Sequence, residues 1–128
     1  MTLRALVVDD EPLARKALLR LLKNEPDINV IGQCSDGEAA VETIRRTNPD
    51  LVFLDVQMPE MDGFRVVESV GAERMPVTIF VTAYDQHALR AFDVHAVDYL
   101  TKPFDRQRFA EAVEQAKLSL SQTRAPQR

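Results

Sequence analysis

The sequence predicts an α/β domain in which one parallel sheet of five strands is covered by helices on both faces. Three observations predict it. Short apolar runs of strand length alternate along the chain with segments whose apolar residues recur at helical spacing. Proline, glycine and asparagine punctuate the junctions between them. Four of the five apolar runs end abruptly on a charged or hydroxyl residue, at the edge where open α/β sheets gather their ligand-binding loops.

Leu3 to Val8 is nearly continuous in apolar residues and reads as the first strand, cut off by Asp9-Asp10-Glu11. Pro12 opens the first helix, where its missing N–H costs nothing. Ala14, Ala17, Leu18, Leu21 and Leu22 share one face of it, and Asn24-Glu25-Pro26-Asp27 stops it. Ile28 to Cys34 is a weaker strand with polar neighbours between its apolar residues, suited to a sheet edge. Ser35-Asp-Gly-Glu38 has capping-box spacing for a second helix reaching about Thr47, with Ala40, Val41 and Ile44 on its apolar face.

Asn48-Pro49-Asp50 breaks that helix. Leu51 to Leu54 then forms a fully apolar third strand that delivers Asp55 to the sheet edge. The loop Met58-Pro59-Glu-Met-Asp-Gly63 leads to a third helix from about Phe64 to Val70. Pro76 precedes Val77 to Val81, the fourth strand, ending at Thr82-Ala83. A fourth helix is predicted from about Asp85 to Val94, carrying Ala88, Leu89, Ala91 and Phe92. Val97 to Thr101 is a short fifth strand, followed by Lys102-Pro103-Phe104. The last helix is predicted from about Asp105 to Ser121, with Phe109, Ala112, Val113, Ala116 and Leu120 in one stripe. Residues 1–121 are thus expected to form one domain, and 122–128 a linker or disordered tail.

The bulk properties agree with one domain. A chain of 128 residues can bury roughly two-thirds of its unfolded surface. At a net charge of -4 it has no basic field, so nucleic-acid binding by this segment is not expected. The single cysteine, Cys34, excludes an internal disulfide and fits a reducing compartment, where it packs as a small hydrophobe. No run is long enough to be a membrane span or signal peptide, and a cytoplasmic location is expected.

The strand-end residues Asp9, Asp10, Asp55, Thr82 and Lys102 are the candidate site. Each alone has a plain alternative: a helix cap, a turn residue or a solvated loop charge. Together, at one edge, they make a site for moving a phosphoryl group onto Asp55. Packed carboxylates repel, and Mg²⁺ (or Mn²⁺) is the natural remedy because it takes oxygen ligands. Phosphoryl transfer asks a protein mainly for positioning and charge neutralisation. Lys102 supplies positive charge, the Thr82 hydroxyl can donate to a phosphoryl oxygen, and Asp55 is the nucleophile.

With Val-Val-Asp9-Asp10, Leu-Asp55-x-x-Met58-Pro59-x-Met-Asp62-Gly63, Val-Thr82-Ala83 and Lys102-Pro103 in order, the chain resembles a response-regulator receiver domain over about residues 3–120. The resemblance implies a flavodoxin-like sheet of order 2-1-3-4-5 and makes Asp55 the phospho-acceptor. It implies Mg²⁺ held by Asp10, Asp55 and the main-chain carbonyl of Gln57, with Asp9 acting through water. Lys102 would pair with the phosphoryl group, and the Lys102-Pro103 bond is expected to be cis. Tyr99 occupies the place of the aromatic that follows Thr82 inward on phosphorylation, with its hydroxyl at the surface at rest. Gln57 and Tyr84, each two residues beyond a site residue, flank the path of the hydrolytic water. A neutral amide and a phenol there imply slow loss of the phosphate.

The same resemblance implies a sensor histidine kinase as partner. It also implies a homodimer, favoured by phosphorylation, through the fourth helix, the fifth strand and the last helix. Asp10-Glu-Pro-Leu-Ala-Arg15 and Tyr84-Asp-x-x-Ala-Leu-x-Ala-Phe92, followed by Ala96-Val-Asp-Tyr99-Leu, are similar to the LytTR-type branch, in which a DNA-binding domain would follow Arg128. Such a domain is a switch rather than an enzyme: only self-phosphorylation from phosphodonors and self-dephosphorylation are expected of it. A stand-alone receiver, or a receiver-like module that has lost phosphorylation, is the alternative. A haloacid-dehalogenase-type phosphatase needs a second acid where Gln57 stands. A flavin-binding module would not place Asp9-Asp10-Glu11 against a phosphate. His87 and His95 lack a partner motif and read as surface or cap residues.

Overall fold

A computed structural model of the chain describes residues 2–83 and 96–124. The predicted helix from Asp85 to Val94, with Tyr84, His87 and His95, lies outside the described residues. Five strands, β1 (Leu3–Val8), β2 (Ile28–Cys34), β3 (Leu51–Leu54), β4 (Val77–Thr82) and β5 (Asp98–Thr101), form one sheet in the order β2-β1-β3-β4-β5. Every pairing is parallel, with a register irregularity between Ala5 and Leu6. This is the flavodoxin-like arrangement. β2, the strand with the least continuous apolar run, is one edge.

Alternation along the strands sorts side chains onto two faces. Ala5, Val7, Leu51, Phe53, Ile79, Val81 and Leu100 meet Leu18 and Leu22 of α1 (Pro12–Leu22) on one face, together with Phe109, Val113 and Ala116 of the C-terminal helix (Arg106–Arg124). Leu6, Val8, Val52, Leu54 and Phe80 meet α2 (Gly37–Thr47) and α3 (Gly63–Val70) on the other. Because β1 and β3 are central, they are apolar on both faces, which is why β3 reads as four consecutive buried residues. Phe53 stacks on Phe109 at 5.7 Å, joining the central strand to the C-terminal helix.

Helix ends follow local chemistry, with two departures from the sequence expectation. The N-cap of α2 is Asp36, whose side chain accepts from the Ala39 N–H at 2.8 Å, and not Ser35. Either residue suits a cap; the chain leaves β2 at Cys34 and has turned into the helix one residue later than the capping box implies. Asn48 ends α2 in the left-handed conformation (φ 48°), a position its short amide tolerates. The C-terminal helix continues to Arg124, past the predicted end at Ser121. Polar residues do not stop a helix, and the first breaker in the sequence is Pro126. At the end remote from the strand carboxyl termini, Lys117 of this helix pairs with Glu25 at 3.1 Å and Asp27 at 3.2 Å, fastening it to the α1–β2 loop.

Candidate phosphoryl-acceptor site

The carboxyl ends of β1, β3 and β4 bring the polar residues together. Main-chain bonds set them side by side: the Asp55 N–H donates to the Val8 carbonyl at 3.0 Å, the Asp9 N–H to the Cys34 carbonyl at 3.1 Å, and the Lys102 N–H to the Thr82 carbonyl at 2.8 Å. Asp9 and Thr82 are fully buried and Asp55 is 3% exposed, whereas Asp10 is half-buried. One carboxylate oxygen from each of Asp9, Asp10 and Asp55 lies within 4.8 Å of the others. Three acids so close in a partly desolvated hollow call for positive charge.

Lys102 meets part of that demand. Its Nζ lies 2.9 Å from Asp9 Oδ2, 3.6 Å from Asp55 Oδ2 and 3.8 Å from Glu11 Oε1. Burial works against the ammonium, but Asp9, Asp55 and Glu11 outweigh it and hold its pKa above the ordinary lysine value. Asp55 shows the opposite imbalance. Burial first, and then the Asp9 charge, push its pKa from 3.8 up to about 6, against the pull of Lys102 and the Gln57 N–H. The nucleophile candidate is thus under-neutralised by the protein's own groups.

Asp9 is held by three contacts besides Lys102 that sequence reading did not anticipate. Its carboxylate accepts from the Glu11 N–H at 2.9 Å, its carbonyl accepts from Arg15 Nη1 at 2.7 Å, and its own N–H is bound to β2. Gln57 is exposed, and its N–H donates to Asp55 Oδ1 at 3.1 Å. The Lys102–Pro103 peptide is cis. Tyr99, three residues before Lys102, is half-buried and its ring stacks on Phe80 at 5.6 Å. Tyr84 is not among the described residues. Cys34 is buried, its Sγ 3.5 Å from Thr43 Oγ1; burial first pushes its thiol pKa up, away from reactivity.

The donor set fits a hard divalent cation: oxygen ligands only, an excess of negative charge, and no soft sulfur or imidazole among the clustered residues. Asp10, Asp55 and Asp9 are the groups that could hold it.

Gly63 shapes the acceptor loop from behind. A Cβ there would stand 2.5 Å from the Asp55 carbonyl oxygen and 3.1 Å from the Val56 Cα, both backbone atoms that cannot rotate aside. Gly63 also donates its N–H to the Val56 carbonyl at 2.9 Å. The start of α2 is equally tight, with a Cβ on Gly37 only 2.7 Å from the Met61 carbonyl oxygen. Gly63→Ala is therefore expected to cost roughly 1–3 kcal/mol, as overpacking does. It should also weaken divalent-cation binding, because Asp55 moves with its own carbonyl. A urea midpoint and a Mg²⁺ titration equal to those of the parent would show that the loop yields freely.

An acidic hollow carrying one lysine, at the carboxyl edge of a doubly wound parallel sheet, defines a class of α/β domain built around a strand-end aspartate. The family model for the response regulator receiver domain matches residues 5–114, and the chain belongs to that family. An uncharacterized response regulatory protein of Yersinia pestis is 46% identical over 111 residues, covering 87% of this chain and 47% of that protein. The transcriptional regulatory protein BtsR of Escherichia coli is 40% identical over 111 residues, covering 87% of this chain and 46% of BtsR. The chain therefore spans about half the length of the curated relatives it matches. Among solved structures, CheY of Borrelia burgdorferi, in a complex with CheX, BeF₃ and Mg²⁺, superposes with a TM-score of 0.78 at 28% identity, covering 90% of this chain and 89% of that one. No helix among the described residues is long and apolar enough to cross a membrane.

Proposed function

We propose that this receiver domain is a phosphorylation-dependent switch that takes a phosphoryl group from a phosphohistidine of a sensor kinase onto Asp55. The observation that carries the reading is Asp55 itself: a buried carboxylate 3.6 Å from Lys102, with Asp9 and Asp10 beside it and its charge incompletely balanced. In the transfer, an Asp55 carboxylate oxygen bonds to phosphorus as the P–N bond of the donor breaks. The departing imidazole keeps the electron pair and takes a proton from solvent. Lys102 neutralises charge on the phosphoryl oxygens, and the Thr82 hydroxyl donates to one of them. Asp10, Asp55 and the Gln57 carbonyl, with Asp9 beside them, would hold Mg²⁺ (or Mn²⁺), which would supply charge neutralisation and alignment. The switch is reset by hydrolysis: water attacks phosphorus, inorganic phosphate leaves and the Asp55 carboxylate is regenerated, at a rate tuned by Gln57 and Tyr84.

The output follows from a population shift: the phosphoryl group draws Thr82 inward, Tyr99 follows, and a homodimer forms through the predicted fourth helix, β5 and the C-terminal helix. The resemblance to the LytTR-type branch, and the name of BtsR as a transcriptional regulator, support control of transcription through a DNA-binding domain. The test is incubation with a small-molecule phosphodonor and Mg²⁺. Expected are a mass gain of one phosphoryl group mapped to Asp55, its loss in Asp55→Asn, and a faster-sedimenting species in the treated sample. No mass gain leaves the domain a phosphate-independent interaction module, and a gain that survives Asp55→Asn removes Asp55 as the acceptor. A gain without a change in sedimentation removes the dimer from the reading.

A further inference from the structure

The last strand of the sheet is held in an unusual way. β5 has β4 on one side and no sixth strand among the described residues on the other. The alternate main-chain groups of an edge strand point away from the sheet and need other partners. At Tyr99 two side chains provide them. The Tyr99 N–H donates to Asp98 Oδ1 at 2.8 Å, and the Tyr99 carbonyl accepts from Arg108 Nη2 at 3.1 Å.

Those two side chains are themselves joined. Arg108 donates through Nη2 to Asp98 Oδ1 at 2.6 Å and through Nη1 to Asp98 Oδ2 at 2.9 Å, a two-bond fork. The pair is partly shielded, with Arg108 33% and Asp98 18% exposed. Arg108 sits in the first turn of the C-terminal helix, and its own N–H donates to Asp105 Oδ1 at 2.8 Å, which fixes the turn that carries it. A closed ring results: Tyr99 main chain, Asp98 carboxylate, Arg108 guanidinium, Tyr99 main chain. Lysine would close it less well, since its single ammonium lacks the planar fork that meets both Asp98 oxygens.

We propose that Asp98 and Arg108 are positioning residues that clamp the main chain of Tyr99 to the C-terminal helix. With its backbone held at two points, Tyr99 is left only side-chain rotation, so its ring can move without the strand sliding. The same clamp makes β5 and the first turn of the helix one mechanical unit. This last consequence rests on the reading of Tyr99 as the switch residue; the clamp itself does not.

The test is residue-resolved amide hydrogen exchange by NMR on the whole chain, for the parent, Asp98→Ala, Arg108→Met, the double variant and Arg108→Lys. Arg108 does not touch the Tyr99 N–H, yet Arg108→Met is expected to speed its exchange roughly tenfold by freeing the Asp98 carboxylate. Asp98→Ala should do the same, and the double variant should exchange no faster than the faster single. Arg108→Lys should recover part of the protection. Exchange at Phe53, in the centre of the sheet, reports global stability and corrects for any variant that is less stable. An unchanged Tyr99 rate in Arg108→Met, or single effects that multiply in the double, would overturn the clamp.

Adding beryllofluoride and Mg²⁺ separates the two readings. In the parent, resonances of both Tyr99 and the first turn of the C-terminal helix should shift. In the double variant the Tyr99 shift should persist and the helix shift should vanish; a helix shift that persists would refute the mechanical coupling. No shift at Tyr99 in the parent would defeat the switch reading, while the exchange rates still decide the clamp.

Discussion

Lys102→Met should destabilise the metal-free domain by roughly 2–4 kcal/mol at pH 7, because it strands a carboxylate that has no water to turn to. Asp9 is fully buried, and Lys102 Nζ at 2.9 Å is its charged partner. Removing the ammonium also leaves Asp55 and Glu11 without the cation they share. Two conditions should shrink the loss. Mg²⁺ would restore positive charge among the carboxylates, and acid would protonate them. Urea unfolding with and without Mg²⁺ is the measurement. A midpoint that does not move on substitution, or a loss indifferent to both Mg²⁺ and acid, would mean that the acids are relieved some other way.

Asp55→Asn should act in the opposite direction. Asp55 titrates at about 6 in the folded chain against an ordinary 3.8, so between those values the folded state binds the extra proton. Stability is then greatest below the lower value and falls as pH rises through the upper one. The loss is on the order of 2–3 kcal/mol once Asp55 is fully ionised. Asparagine keeps the shape and carries no charge. The variant is therefore expected to exceed the parent in stability by about that amount at pH 7 in metal-free buffer, and to match it near pH 4. Mg²⁺ should narrow the gap at pH 7 by stabilising the ionised parent. A variant less stable than the parent at pH 7 would show that the Gln57 N–H bond to Asp55 outweighs the buried charge.

These two expectations give the site a common physical sense. The fold by itself bears a charge mismatch at Asp55, one that the proposed cation and phosphoryl group would together relieve. Sequence reading reached the constituents because each sits at the end of a strand whose apolar run is unmistakable: Leu51–Leu54 before Asp55, Val77–Val81 before Thr82. The sheet order came from the family resemblance, and the register follows it. What the sequence did not disclose are contacts between loops distant along the chain. Nothing local tells that Lys102 lies 2.9 Å from Asp9. Gly63 was visible as a turn glycine, but its closeness to the Asp55 carbonyl depends on how α3 packs. Asp98 and Arg108 were overlooked for a different reason. An acid in an edge strand and a basic residue ten positions on read as solvated charges, and only the turn at Pro103 brings them face to face.

The Lys117 contacts at the far end of the C-terminal helix bear on this last pair. Arg108 and Lys117 are nine residues apart, about 13 Å along the axis. The apolar stripe of Phe109, Val113 and Ala116 seats the helix on the sheet, and the two polar attachments fix its heading, as two bearings align a shaft. Under the proposed switch, motion arising at β5 would be passed along that axis as torque or thrust rather than as a swing.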